Sequence, residues 1–115
     1  MGDSVDLLQG TLEMLILKAL SLEPLHGWGV GQRLTQLSHD VFQVPQGSVY
    51  PALMRMLRRG LIRSEWRVTE AGRRARYYQL TTKGRRELDA AMATWRQAST
   101  AVNGILAVRT GPGEA

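Results

Sequence analysis

Leu88, Met92, Trp95, Ser99, Val102 and Leu106 recur at alternating intervals of four and three residues. That spacing keeps one apolar stripe along an α-helix and lets two such helices meet in a seam, which Ser99 interrupts once. With Thr81 or Thr82 as the N-cap, it predicts a helix running to about Val108, on the order of 40 Å long at 1.5 Å per residue. A chain of 115 residues builds one domain with a modest core. Such a core cannot bury a helix of this length. The fold must therefore be a small unit carrying one protruding helix, and a second copy of the chain is expected to cover the seam. Leu88, Met92, Trp95, Ser99, Val102 and Leu106 are the expected interface.

The segment from Leu7 to Leu22 also reads as a helix. Leu8, Leu12, Leu15, Ile16 and Ala19 fall at helical spacing, and Leu7, Met14 and Leu17 add a second apolar stripe. Two apolar faces require two partners. One is expected to be the second subunit, which adds Leu8 and Leu12 to the interface. Pro24 ends the segment. A second helix, about Gly27 to Ser38, turns Val30, Leu34 and Leu37 to one side. Gly27, Gly29 and Gly31 weaken it by about 1 kcal/mol each relative to alanine, a cost that makes sense where another helix must approach closely.

The third helix is expected from Pro45 or Gln46 to Arg59, stopped by Gly60. Val49, Leu53, Met56 and Leu57 form its core arc. Gly47, Ser48, Pro51, Met54, Arg55 and Arg58 form the opposite arc, with Tyr50 on the flank. Pro51 removes a backbone hydrogen bond and crowds the carbonyl of Gly47, so the first turn is expected to loosen. Next come two strands. Leu61 to Val68 alternates, with Ile62, Ser64, Trp66 and Val68 on one face, and Arg76 to Thr81 turns Tyr78 and Leu80 inward. The turn between them, Thr69 to Ala75, is long for a hairpin and expected to be mobile. Two strands alone are marginal, so the ribbon must lean on the helices. The expected fold is mainly α with a two-stranded wing: a winged helix-turn-helix over residues 1–80, a dimerisation helix over 81–110, and a flexible tail over 111–115.

Charge narrows the function. The net charge is +5 with a pI near 10.4, and it is unevenly placed. Arg55 to Arg86 holds eleven basic residues against Glu65 and Glu70, whereas the first forty residues hold five acids against Lys18 and Arg33. Such an imbalance favours a polyanionic partner. There is no cysteine, and His26 and His39 are the only histidines. Neither has nucleophile or metal-ligand spacing around it, and His26 reads as a structural residue at a helix start. Gly27-Trp28-Gly29-Val30-Gly31 sits between helices and reads as close packing, not as a phosphate loop. No catalysis, cofactor or metal is expected. Without a signal peptide or a membrane-length apolar run, a cytoplasmic protein is expected.

Double-stranded DNA is the partner these features favour. The third helix would enter the major groove, with Gln46, Gly47, Ser48 and Pro51 near base edges. Arg55 could reach guanine or phosphate, and Arg58 and Arg59 suit phosphate. Arg73, Arg74 and Arg76 on the wing would grip the backbone or enter the minor groove. In that division of labour the helix chooses sequence and the wing sets affinity. A protein-binding module on the same scaffold would favour low basicity on the third helix and wing, the reverse of what is seen. Non-specific nucleic-acid packaging needs the charge but no defined helix face.

Several blocks in order resemble a known family. They are Leu8-Gln9-Gly10-Thr11-Leu12 with Leu15 and Leu17, His26-Gly27-Trp28, Gly47-Ser48-Val49-Tyr50-Pro51-Ala52-Leu53, Gly60-Leu61-Ile62, and Arg76-Tyr77-Tyr78-Gln79-Leu80-Thr81 followed by Gly84. Together they are similar to the PadR family of bacterial transcriptional regulators, in its short form with a single C-terminal helix. The resemblance implies a dimeric repressor paired through its first and last helices on a near-palindromic operator, with half-sites ~34 Å apart. It also implies that Tyr50 meets the DNA backbone, with Ser48 and the wing arginines beside it. Some members hold flat hydrophobic compounds between paired tryptophans at the dimer centre. Trp95 matches that position, and Met92 and Ser99, one turn away, would line such an effector pocket.

Overall fold

The computed structural model describes residues 9–111. In chain order it contains α1 (Gln9–Leu22), β1 (Leu25–His26), α2 (Gly27–Leu37), α3 (Gln46–Arg58), β2 (Ile62–Val68), β3 (Arg74–Leu80) and α4 (Thr82–Leu106). Leu8, an expected interface residue, lies outside the described residues.

Helix α1 is the centre of the molecule. Leu12, Ile16, Leu17, Ala19 and Leu20 are buried around it, because α2, α3, β3 and α4 all pack on it. Its two apolar faces are therefore largely covered within one chain. Two of the expected interface residues, Leu12 (5% exposed) and Leu88 (3% exposed), are buried in the chain's own core. The heptad stripe of α4 starts inside that core and leaves it only further along.

The α2–α3 pair meets as closely as its glycines suggested. A β-carbon on Gly31 would lie 3.4 Å from the Val44 carbonyl oxygen and 3.8 Å from Val49 Cγ2. His26 opens α2 as its N-cap, its Nδ1 accepting from the Gly29 N–H at 3.1 Å. The structural role read from sequence is the one it has.

The sheet has three strands in the order β1-β3-β2, not two. Leu25 and His26 pair with Tyr78 and Tyr77, so β3 is the central strand and the ribbon is anchored near its base along its β3 edge, with β2 at the sheet's outer edge. A strand of two residues is too short to show alternation, which is why only the ribbon was legible. β3 also begins at Arg74 and pairs it with Val68, shortening the expected turn to residues 69–73. That turn is held by hydrogen bonds from Thr69 N–H to Arg73 O (2.7 Å) and Gly72 N–H to Thr69 O (2.9 Å). Gly72, at φ +83°, supplies the left-handed step that glycine takes without strain.

Thr81 caps α4. Its hydroxyl accepts from the Gly84 N–H at 3.0 Å and donates to the Gly60 carbonyl at 2.7 Å. At Gly84 the helix lies directly on the Leu61 backbone, where a β-carbon would run into the Leu61 carbonyl. Past Met92 the helix leaves the body: Trp95, Val102, Ile105 and Leu106 are all exposed. The radius of gyration is 17.3 Å, against about 13 Å for a compact chain of 100 residues. The protruding helix accounts for the excess.

Candidate nucleic-acid interface

The first turns of α3 stand clear of the body. Gln46, Gly47, Ser48, Tyr50 and Pro51 are exposed, while Val49, Ala52, Leu53 and Met56 are buried on the other side. Pro45 precedes the helix without a side-chain cap, and no acid occupies the first turn. The helix therefore presents uncapped N–H groups and the positive end of its dipole. It continues through Pro51 to Arg58 without a break. The Gln46 carboxamide leans toward α2, where a β-carbon on Gly27 would meet its Nε2 at 3.6 Å.

Further along, α3 departs from the arcs read off its sequence. Met54 is packed against the core. Arg55 turns to α1, where its Nε donates to Glu13 Oε2 at 2.8 Å. Glu13 also lies 3.6 Å from Arg59, which in turn lies 3.5 Å from Glu87 on α4. A wheel with one core face misplaces these residues because α1 and α4 cover a second side of the helix's C-terminal half. Arg58 is exposed and has no acidic partner among the described residues.

The wing has two unlike faces. In the β2–β3 register Ser64 faces Tyr78, Trp66 faces Arg76 and Val68 faces Arg74, so these side chains share one face. On it, Arg76 Nε donates to Ser64 Oγ at 3.0 Å, and the Arg74 guanidinium lies 5.1 Å from the Trp66 ring centroid. The other face is internally satisfied. Arg67 donates to Glu65 at 2.6 Å and lies 5.3 Å from the Tyr77 ring centroid. Arg63 addresses the Gln79 carboxamide oxygen at 2.7 and 2.9 Å, in the amide orientation that satisfies both groups. Arg73 (in the tip loop), Arg74 and Arg76 have no acidic partner among the described residues.

Tyr78 joins this wing face to α3. Burial raises its phenol above the ordinary value of 10.0, the nearby Arg76 charge pulls it back, and Tyr50 adds to the rise. Ser48 and Tyr50 are exposed on α3, and Trp66, Arg74 and Arg76 are exposed on this wing face. Two members of the wider site went unread in the sequence. Period-two alternation places Trp66 on a face without telling an exposed end from a buried one, and nothing local links Glu13 to Arg55, 42 residues away.

A model of the transcriptional regulator PadR-like family matches residues 16–90. The chain belongs to that family. Solved structures agree. A PadR-like transcriptional regulator from Bacillus cereus is 32% identical, with 88% of this chain and 96% of that chain covered and a TM-score of 0.77. A PadR family regulator from Eggerthella lenta is 29% identical, with 88% and 86% covered and a TM-score of 0.75. A Streptococcus mutans protein at 22% identity, with 93% and 98% covered and a TM-score of 0.79, shares the fold. The mainly helical winged fold with its long C-terminal helix is thus the PadR-like one, and the Bacillus cereus and Eggerthella lenta proteins are regulators of transcription.

In this PadR-like regulator Trp95 stands between two open grooves where α1 and α4 part. One, of about 480 Å³, is lined by Thr11, Met14, Glu87, Ala91 and Trp95 among others. The other, of about 190 Å³, involves Met14, Lys18, Met92 and Trp95. Ser99 lines neither; its hydroxyl donates to the Arg96 carbonyl at 3.3 Å. Among the described residues no group of three histidine or acidic side chains could hold a metal ion. No described helix is long and apolar enough to cross a membrane.

Proposed function

We propose that this chain is a homodimeric, sequence-specific DNA-binding repressor. The observation that carries the reading is the sidedness of the wing. Glu65 and the Gln79 amide hold the cations of one face, while Arg74 and Arg76 on the other have no acidic partner among the described residues, and the first turns of α3 are likewise exposed and uncapped. Gln46, Ser48 and Tyr50 would meet the major groove and its flanking phosphate. Arg58, Arg73, Arg74 and Arg76 would neutralise phosphates. Arg55, already bonded to Glu13, would instead hold α3 at its angle. Pairing is supported by the exposed end of the α4 seam, Trp95, Val102 and Leu106, with Met92 at its root. Two subunits so joined would offer two recognition helices to a near-palindromic site and repress by occupying it. The Trp95 grooves suit a flat hydrophobic effector, whose binding between subunits would relieve repression.

The test is a gel shift of the DNA upstream of the chain's own gene against mixed-sequence duplex, at several salt concentrations. Preferential binding of the upstream fragment and a steep loss of affinity with salt are expected. Equal binding to both duplexes would reduce the function to packaging. For the effector, planar aromatic cations should quench tryptophan fluorescence in the native protein and not in Trp95→Ala.

A further inference from the structure

Trp66 has no role in the reading so far, and its surroundings are unusual. Its indole is 59% exposed, and Val68, two residues toward the tip, is 67% exposed. Neither is near the α4 seam or the grooves around Trp95. Tryptophan on a strand ordinarily packs into a core, and Ile62 on the same face does so at 2% exposure. Trp66 instead lies beyond the last buried pair, with Arg76 directly opposite and the Arg74 guanidinium over its ring. An apolar patch is thus framed by two cations that have no acidic partner among the described residues. On the same face Arg76 donates to Ser64, and Tyr78 is buried beyond them.

We propose that Trp66, with Val68 beside it, is a DNA-contact element. Its indole would lie against the deoxyribose wall of the minor groove next to the major groove that takes α3, while Arg74 and Arg76 would hold the phosphates on either side. Charge and placement favour DNA as the occupant. A patch flanked by guanidiniums with no acidic partner among the described residues matches the alternation of apolar sugar and anionic phosphate along a duplex edge, and it lies on the wing face of Arg74 and Arg76, already assigned to DNA. Apolar side chains are known to enter minor grooves, as wedges between base steps that kink the duplex; here the indole would lie along the groove wall. A membrane surface would also meet such a patch, and the test below separates the two. The inference rests on the DNA-binding reading.

Duplex affinity of Trp66→Ala, Arg74→Ala and the native protein is measured across a salt series, with hydroxyl-radical footprinting of the upstream fragment. Trp66→Ala should bind roughly tenfold more weakly, in the range that loss of one aromatic contact to a nucleic acid produces. Its log–log salt slope should stay unchanged, because an indole releases no counterions. Arg74→Ala should flatten the slope. Protected sugars flanking each half-site should be lost in Trp66→Ala. If Trp66 only orients Arg74, Trp66→Ala will flatten the slope too, and the contact is overturned. Native-like affinity and footprint in Trp66→Ala overturn it as well, with DNA binding itself intact. Failure of the native protein to bind duplex would instead strike the broader reading. Trp66 emission in a Trp28→Phe, Trp95→Phe background gives an independent check: duplex should shield it from acrylamide, and equal quenching with and without duplex would contradict the contact. Binding of the native protein to anionic vesicles in preference to duplex, lost in Trp66→Ala, would overturn the contact and assign the patch to a membrane.

Discussion

Gly84 has the least room of the described glycines, because α4 begins its climb directly on the Leu61 carbonyl. Gly84→Ala forces the helix off the sheet, and urea denaturation should show a loss of about 2 to 3 kcal/mol, the overpacking range. Glu13 acts over a longer reach. Its side chain is only 13% exposed and serves both Arg55 and Arg59, so Glu13→Ala should cost about 1 to 2 kcal/mol, between a surface and a buried ion pair. Because that change also loosens the hold of α1 on α3, duplex affinity should fall with it. Tyr78 ties stability to alkaline pH. Burial, opposed by Arg76, raises its folded value above 10.0, so the folded state keeps its proton longer than the unfolded chain does. The stabilisation is full below the unfolded value and is lost as pH rises through the folded one. Tyr78→Phe, followed by denaturation between about pH 8 and 11, should remove that part of the slope. An unchanged profile would show that Tyr78 does not supply it.

At the scale of elements, α3 and the wing divide the work. Arg74→Ala should weaken upstream and mixed-sequence duplex alike, whereas Ser48→Ala should shrink the preference between them; gel shifts on both duplexes decide. A change of sequence preference in Arg74→Ala would contradict this division. The elements themselves were largely legible, since Leu12–Ile16–Ala19, Val49–Leu53–Met56 and Ile62–Ser64–Trp66 each declare their period. What sequence could not supply depended on contacts between distant segments. Leu25 and His26 become a strand only because β3 offers them a free edge. Arg55 turns inward only because Glu13 waits on α1. Arg74 joins a strand because Val68 is opposite, although glycine and arginine around it read as turn. The candidate site was therefore visible as composition, an arginine cluster after a helix, while its sidedness emerged only from pairing.

The whole molecule is elongated, 66 × 34 × 20 Å, and its long axis ends in apolar surface that one subunit leaves uncovered. Leu106 is 74% exposed, so Leu106→Asp should leave the single subunit's core untouched yet weaken pairing. Sedimentation equilibrium should show a dimer for the native chain and a shift toward monomer for the variant. Duplex affinity should fall in parallel, since one recognition helix binds without the other. The central claim is that two such subunits neutralise a duplex backbone through Arg58 of α3 and Arg73, Arg74 and Arg76 of the wing. It is tested most directly by the dependence of duplex affinity on salt. If about 6 to 8 phosphates are neutralised per dimer, the log–log slope should lie near −5 to −7. A slope near zero would contradict the account.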